Sequence, residues 1–258
     1  MVYALVTGAS KGIGKCLAEG LAARGYNVLL VARSEQLLRE LSATLQSRYR
    51  IETAWLAIDL SAPGAPEKLY NWCVANSYEV KVLINNAGYG IGGWLDQSPV
   101  EDTLAMMRVN MEVPVALCRL FLPALKQQPK AYILNIASSA AYQAVPGLTV
   151  YAATKSFVLS FSRGLRQELK KTAVSVTCIS PGATDTNFVN QAQLGEKARR
   201  MADKVNMSPE KVAAIALRSM LAGKTEVIPG FINKLGAALV WLLPKSLSES
   251  TAMKIYQP

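Results

Sequence analysis

The sequence predicts an α/β protein with a doubly wound sheet of seven parallel strands and helices on both faces. Short runs of apolar and β-branched residues recur along the 258 residues, as expected for strands buried on both sides. Helical patterns lie between consecutive runs, and this alternation favours a parallel sheet. The seven strands in this rhythm use most of the chain, which predicts one domain over residues 1–258.

The first predicted strand is Val2–Thr7, which runs directly into a glycine-rich turn, so we expect no secretory signal. The other predicted strands have the same apolar character and lie at Asn27–Ala32, Thr53–Ile58, Val80–Ile84, Ala131–Ala137, Val174–Ile179 and Thr225–Pro229. The helical patterns between them include Gly14–Arg24, Glu35–Gln46, Val100–Lys126 and Tyr151–Lys170.

The composition excludes several classes of protein. A hydrophobic content of 51% excludes a disordered chain. Histidine is absent, which excludes Ser-His-Asp hydrolases and His-ligated metal sites, so proton transfer must use Tyr, Lys, Asp, Glu or Cys. The four cysteines, Cys16, Cys73, Cys118 and Cys178, lack CxxC spacing; we expect buried, reduced thiols in a cytoplasmic protein and predict no metal site. The net charge of +10 leaves open an acidic partner: nucleic acid, a membrane surface or a phosphorylated ligand.

The turn after the first strand reads TGASKGIG over Thr7–Gly14, with glycines spaced GxxxGxG. Glycines let the backbone turn sharply and approach a pyrophosphate, which then binds at the N-terminus of the following helix. The turn lies between a buried strand and an amphipathic helix, the context expected for dinucleotide binding. The predicted fold is therefore of the Rossmann type.

The end of the second predicted strand indicates which dinucleotide is bound. A carboxylate at this point would bind the adenosine ribose of NAD, but the sequence reads Ala32-Arg33-Ser34. A guanidinium pairs with a 2′-phosphate, and Lys11 in the glycine-rich turn adds a second positive charge. Arg33 and Lys11 therefore predict NADP(H) rather than NAD(H), although each has a solvated surface charge as its alternative.

Several ordered motifs together resemble the short-chain dehydrogenase/reductase family in its single-domain form, over about residues 3–188. They are the glycine-rich turn, Asp59-Leu60, Asn85-Asn86-Ala87-Gly88, Asn110, Ser138, Tyr151-Ala152-Ala153-Thr154-Lys155 and Pro181-Gly182. The turn and the resemblance imply these cofactor-binding residues: Gly8, Ser10, Lys11, Gly12, Ile13, Gly14, Arg33, Asp59, Leu60, Asn86, Ala87, Gly88, Tyr151, Lys155, Pro181, Gly182, Thr184 and Thr186.

The predicted acid–base group is Tyr151. It lies four residues before Lys155 on a predicted helix, so both side chains project from one face. A free tyrosine has a pKa of about 10, and a neighbouring ammonium favours the phenolate. We therefore expect Lys155 to lower the pKa of Tyr151 toward neutral pH. By resemblance, Lys155 also holds the nicotinamide ribose.

Ser138 and Asn110 complete the predicted catalytic set with Tyr151 and Lys155. Ser138 follows a predicted buried strand and thus lies at a carboxyl end, where parallel sheets bind ligands. Its hydroxyl is expected to hold the substrate oxygen beside Tyr151. By resemblance, Asn110 anchors a water that links Lys155 to bulk solvent; a satisfied core amide is the alternative.

The predicted function is NADP(H)-dependent hydride transfer between nicotinamide and a carbonyl or secondary alcohol. The expected cleft walls, Tyr89–Trp94 and Tyr142–Leu148, are mainly apolar and favour a hydrophobic substrate, or else they are core packing. The alternatives are a non-catalytic NADP(H)-binding redox sensor and a reductase associated with a membrane surface. We expect a homodimer or homotetramer, and no nucleic-acid partner because no basic stripe with aromatics is present.

The C-terminal quarter is the least informative part. The resemblance implies a substrate lid over about 188–207, followed by an extension over about 231–258. The apolar run Leu235–Leu243 is flanked by Lys234 and Lys245 and is shorter than the about 20 residues that span a membrane. It predicts either a core or interface helix or a membrane-surface helix. Residues 191–258 hold 10 Lys plus Arg against 5 Asp plus Glu, which suits a thioester on an acidic carrier or coenzyme A, or an unspecific solvated face.

Overall fold

The computed structural model describes residues 2–184 and 206–256. Within these ranges, seven strands form a single sheet. They are β1 (Val2–Thr7), β2 (Asn27–Ala32), β3 (Thr53–Ala57), β4 (Glu79–Asn85), β5 (Ala131–Ile136), β6 (Val174–Ile179) and β7 (Glu226–Val227). Their order is β3-β2-β1-β4-β5-β6-β7, and each neighbouring pair is parallel. The predicted seven-stranded parallel sheet is confirmed.

Helices cover both faces of the sheet. They are α1 (Gly12–Ala22), α2 (Glu35–Tyr49), α3 (Ala65–Ala75), α4 (Val100–Met107), α5 (Val113–Gln127), α6 (Thr149–Glu168), α7 (Pro209–Leu221), α8 (Phe231–Leu242) and α9 (Lys245–Tyr256). Alternate side chains of β1 belong to two separate cores: Ala4 and Val6 pack with α1, α2 and α7, whereas Tyr3 and Leu5 pack with α3 and α5. This alternation explains why the strands are apolar at nearly every position.

The long predicted helix Val100–Lys126 is divided by a π-helical turn at Arg108–Glu112, between α4 and α5. Periodicity alone did not indicate this turn, because a π-turn adds one residue without changing which residues are apolar. The last strand is also shorter than predicted: β7 pairs with β6 only at Glu226 and Val227, and Pro229 has no N–H to extend the ladder. The other boundaries agree with the predictions or differ from them by one to three residues.

The direction in which successive strands are added to the sheet reverses between β1 and β4, because β2 and β3 lie on one side of β1 and β4 to β7 on the other. In parallel sheets, ligands bind in the crevice at the carboxyl ends of the strands at such a switch point. In the described ranges, no helix has the length and apolar character needed to cross a membrane. The predicted lid at 188–207 lies outside the described residues except for its last two positions.

Candidate active site

A cavity of about 970 Å³ opens at this switch point. All the predicted cofactor-binding residues within the described ranges line it: Gly8, Ser10, Lys11, Gly12, Ile13, Gly14, Arg33, Asp59, Leu60, Asn86, Ala87, Gly88, Tyr151, Lys155, Pro181, Gly182 and Thr184. Thr186, the remaining one, lies outside the described residues. Ser138 lines the same cavity, so three of the four predicted catalytic side chains share a space with the glycine-rich turn.

The glycine-rich turn is compact enough that side chains would not fit. A Cβ on Gly14 would collide with the backbone carbonyl of Gly8. The helix that follows, α1, begins at Gly12, and the side chain of its N-cap residue Lys11 makes no capping hydrogen bond. An N-terminus of this kind presents backbone N–H groups to an anion.

The segment after β4 holds this turn in place. The Asn86 side-chain amide donates to the carbonyl oxygens of Thr7 (2.9 Å) and Gly8 (3.2 Å). The backbone N–H groups of Asn86 and Ala87 each donate to the Thr7 hydroxyl at 3.0 Å. These four hydrogen bonds join the ends of β1 and β4, so the floor of the cavity is fixed by the chain itself.

Charged side chains lie along the rim near the end of β2. Arg33 and Lys11 are both exposed and both line the cavity. The Asp59 carboxylate accepts hydrogen bonds from the Ser61 backbone N–H (2.9 Å) and hydroxyl (2.7 Å). These bonds, and more weakly the charge of Arg33, hold the pKa of Asp59 below its ordinary value. Asp59 is therefore an ionised acceptor at neutral pH.

Tyr151 and Lys155 lie on α6 and are both buried. The Lys155 ammonium is 5.8 Å from the centre of the Tyr151 ring and donates a hydrogen bond to the Ile136 carbonyl at 3.0 Å. The Ser138 hydroxyl makes a side-chain hydrogen bond with Tyr151 and accepts one from the Ala140 backbone N–H at 3.1 Å. The end of β5 and one face of α6 thus bring the three side chains together.

The expected lowering of the Tyr151 pKa is wrong for the chain by itself. Burial raises the pKa of Tyr151 to about 12, and the hydrogen bond with Ser138 opposes this only in part. Burial also lowers the pKa of Lys155 to about 8. Desolvation prevails because the ammonium bonds to the Ile136 carbonyl instead of the phenol. At neutral pH, Tyr151 carries its proton and Lys155 is mostly an ammonium.

Asn110 lies in the π-helical turn and is almost completely buried. Its side-chain oxygen accepts from the Tyr89 backbone N–H (3.1 Å), while its amide donates to the Tyr89 carbonyl (2.9 Å) and the Thr154 hydroxyl (3.0 Å). A Cβ built on Gly88 would be 2.9 Å from the Asn110 oxygen and 3.2 Å from the Lys155 nitrogen. Asn110 therefore adjoins Lys155 and ties the segment after β4 to α6, and its role toward water stays a prediction.

The cavity walls agree only in part with the predicted ones. Tyr142, Gln143, Val145 and Leu148 line the cavity, but Tyr89 is the only residue of Tyr89–Trp94 that does. Sequence reasoning missed the contribution of the two C-terminal helices, which line the cavity through Ile232, Asn233, Gly236, Ala237, Leu239, Val240, Leu243, Leu247, Ser248, Thr251, Ala252, Ile255 and Tyr256. The apolar run of α8 was the available signal, but its spacing does not indicate what it packs against.

Tyr256, the last residue of α9, reaches the far wall of the cavity. It packs with a small cluster that contains Met106, Val145, Leu148 and Tyr151. Gly147 in this wall has φ +78, and a Cβ there would collide with the Tyr256 carbonyl. A glycine is thus required at 147 both for its backbone conformation and for the close approach of α9.

Fold and site together define a class: Rossmann-type proteins whose ligand cavity, lined by a glycine-rich turn, lies at the switch point of a parallel sheet. The model of the family described as short chain dehydrogenase matches residues 2–197, and the chain belongs to this family. Members of this family bind a nicotinamide cofactor.

Named relatives agree with this assignment. The chain is 36% identical to very-long-chain 3-oxoacyl-CoA reductase-A of Danio rerio over 183 aligned residues. The aligned residues make up 69% of this chain and 57% of the reductase, so the chain spans little more than half of the reductase's length. A 7β-hydroxysteroid dehydrogenase superimposes with a TM-score of 0.86 at 25% identity, covering 99% of this chain and 96% of that one. A short-chain dehydrogenase from Sphingobium yanoikuyae in complex with NADPH gives 0.82 at 28% identity, covering 94% of both chains.

Proposed function

We propose that this protein is an NADP(H)-dependent reductase that interconverts the carbonyl and secondary alcohol of a hydrophobic substrate. One observation carries the proposal: Ser138, Tyr151 and Lys155 share a single cavity with the glycine-rich turn and with Arg33 and Lys11. A proton donor, a group that holds an oxygen, and a dinucleotide cradle are the parts that such a reaction needs.

The residues present fit a dinucleotide. The cavity of about 970 Å³ is at the upper end of the about 300–1,000 Å³ that small-molecule sites occupy. A Cβ at Gly14 would collide with the Gly8 carbonyl, so only glycine allows the compact turn whose backbone N–H groups a pyrophosphate would approach. Gly8 to Gly14 would hold the pyrophosphate, Asp59 and Leu60 the adenine, and Lys155 the nicotinamide ribose. When bound, the cofactor supplies or accepts the hydride.

Tyr151 then handles the proton. In reduction, the Tyr151 hydroxyl gives its proton to the carbonyl oxygen as the carbonyl carbon receives the hydride, which yields the alcohol and leaves Tyr151 as a phenolate. A raised pKa keeps that proton on Tyr151 until a substrate oxygen takes it. The nearby Lys155 ammonium stabilises the phenolate electrostatically, and the Ser138 hydroxyl donates to the substrate oxygen as negative charge develops. A water held at Asn110 would return a proton through Lys155.

The choice of NADP(H) rests on charge at the end of β2. Arg33 and Lys11 are exposed cations on the cavity rim, and no carboxylate stands at the Ala32-Arg33-Ser34 strand end to repel a 2′-phosphate. The Sphingobium relative was solved with NADPH, which agrees with this choice. We infer that Arg33 pairs with the 2′-phosphate and that Lys11 adds attraction from the glycine-rich turn.

The apolar wall supports a substrate with a sizeable hydrophobic part. Val145 and Leu148 line the cavity, and Val240 of α8, Leu247 of α9 and Leu243 between these helices line it as well. The names of the two relatives suggest two chemical types to try, a 3-oxoacyl thioester and a hydroxysteroid. Both combine an oxygen-bearing carbon with a large apolar body.

The experiment is a coupled screen of carbonyl substrates and cofactors. Purified protein is mixed with NADPH or NADH and a panel of short ketones, 3-oxoacyl thioesters and ketosteroids, and cofactor oxidation is followed by the loss of reduced-nicotinamide absorbance. We expect turnover with NADPH, with a kcat/KM that rises as the apolar part lengthens. NADPH binding without turnover on any carbonyl would favour a redox sensor, and faster turnover with NADH would contradict the assignment of Arg33 and Lys11.

A further inference from the structure

The outward side of α8 carries large apolar side chains in contact with solvent. Phe231 is 81% exposed, Trp241 79% and Leu242 69%, and α8 has no buried residue. Isolated exposed apolar residues are ordinary, but several on one short helix mark an interaction surface. We call this set the outer face of α8 and define it by Phe231, Leu235, Ala238, Trp241 and Leu242.

The two sides of α8 have different roles. At 3.6 residues per turn, Phe231, Leu235, Ala238 and Leu242 fall on one side of the helix, with Trp241 on its flank. The opposite side lines the cavity through Gly236, Ala237 and Val240. Ile232, Asn233 and Leu239 also line the cavity, whereas no residue of the outer face does. The need to form a wall of the cavity therefore does not explain why the outer face of α8 is apolar.

Positive charge borders the outer face. Lys234, on the same flank as Trp241, and Lys245, the first residue of α9, are both exposed, and α8 contains no carboxylate. In the described range 228–256 the one carboxylate is Glu249, which is half-buried. Apolar residues beside cations, with a tryptophan at the margin, are typical of helices that lie in the interface of an anionic bilayer.

A second copy of the chain fits this face less well. A helix of 12 residues is about 18 Å long and about 10 Å wide, which gives a footprint of about 200 Å². A stable protein interface buries about 800 Å² on each partner. Contact between the outer faces of two copies would also bring Lys234 and Lys245 of one copy close to the same lysines of the other, and these like charges repel. A bilayer requires no such area from one rigid partner, and its anionic headgroups complement the two lysines.

We propose that the outer face of α8 docks the protein onto an anionic lipid bilayer, with Phe231, Trp241 and Leu242 at the boundary of headgroups and acyl chains. Lys234 and Lys245 then contact the headgroups. Because the inner side of α8 forms a wall of the cavity, docking places that wall next to the membrane. Docking does not depend on the proposed reaction, so its test measures binding and not turnover.

The test is flotation of the full chain with vesicles of phosphatidylcholine alone or mixed with phosphatidylglycerol. We expect flotation with the mixed vesicles, less with the neutral ones, and a decrease as salt is raised. Phe231→Ser with Trp241→Ser should lower the bound fraction at least about tenfold. Lys234→Glu with Lys245→Glu should abolish the preference for anionic lipid. The matched control, Val74→Ser with Val100→Ser, changes two exposed apolar residues on α3 and α4 and should bind like the unchanged protein.

Thermal unfolding of each variant verifies that it is folded before binding is compared. Absence of flotation with either kind of vesicle would overturn the proposal, as would equal flotation of the Phe231→Ser, Trp241→Ser variant. Light scattering after gel filtration tests the alternative that a second copy of the chain covers the outer face of α8. If the protein is a dimer that this variant converts to a monomer, and no vesicle binding is seen, the outer face of α8 contacts a second copy and the proposal is wrong.

Discussion

Replacing Lys155 with methionine should leave the folded state at least as stable at neutral pH while removing activity. In the folded chain, burial lowers the pKa of Lys155 to about 8 from an ordinary value of 10.5. A group whose folded pKa is depressed in this way binds more protons when unfolded, so its burial as an ammonium costs stability below pH 8. That cost fades as pH rises from about 8 toward 10.5.

The magnitude follows from the difference of about 2.5 pKa units, which corresponds to about 3 kcal/mol at pH 7 and about 1 kcal/mol at pH 10. Lys155→Met removes this cost but leaves the Ile136 carbonyl without the 3.0 Å hydrogen bond, a loss of about 1–3 kcal/mol. The variant should therefore match or exceed the original protein in stability at pH 7. Between pH 7 and 10 the original protein should gain about 2 kcal/mol relative to the variant.

The assay is urea unfolding of both proteins at pH 7 and pH 10, with the difference in unfolding free energy as the observable. Other titrating groups, including Tyr151, contribute to both proteins and cancel in that difference. Cofactor oxidation with a carbonyl substrate should be lost in the variant, because the phenolate left on Tyr151 has no ammonium beside it. A difference in unfolding free energy that stays constant with pH would refute the reasoning about Lys155.

Three further predictions concern the rim, the oxygen-holding group and the far wall. Arg33→Gln should raise the KM for NADPH about 10- to 100-fold, the equivalent of about 1.5–3 kcal/mol for a charge-assisted hydrogen bond, and leave the KM for NADH nearly unchanged. If steady-state kinetics show the same rise in KM for NADPH and NADH, Arg33 does not contact the 2′-phosphate. Ser138→Ala should lower kcat about 10²- to 10³-fold with little change in NADPH binding, and a full-rate variant would remove Ser138 from the reaction. Gly147→Ala should cost about 1–3 kcal/mol in urea unfolding, since φ is +78 and the Tyr256 carbonyl is in the way. The control Gly164→Ala in α6, where a Cβ meets nothing, should be neutral or stabilising by up to about 1 kcal/mol; equal effects at both positions would exclude the contact with Tyr256 as the cause.

The parts of the fold that the sequence predicted well are those encoded by local pattern. Strands buried on both faces must be apolar throughout, so the runs at β1, β2 and β6 could be located to the residue. The meeting of Ser138 with Tyr151 and Lys155 also follows from local rules. Ser138 follows a strand, and Tyr151 and Lys155 share one helix face, so the topology of a parallel sheet brings them to one edge.

The remaining features depend on packing between distant segments. The π-helical turn lets Asn110 reach the Tyr89 backbone, and no apolar periodicity marks it. The raised pKa of Tyr151 depends on how completely the fold buries the ring, whereas spacing indicated only that a lysine is near. The contact of Tyr256 with Gly147 joins residues more than a hundred positions apart, and a single sequence gives no signal for such a pair.

The measurement that most directly tests the account is the rate of NADPH-dependent carbonyl reduction by Tyr151→Phe. Phenylalanine keeps the buried ring and removes only the hydroxyl that is proposed to give its proton to the substrate oxygen. The account predicts a fall in kcat of about 10²- to 10⁴-fold, the usual contribution of a general acid, with the dissociation constant for NADPH unchanged within about threefold. A variant that binds NADPH normally and reduces the same carbonyl at a rate close to that of the original protein would contradict it.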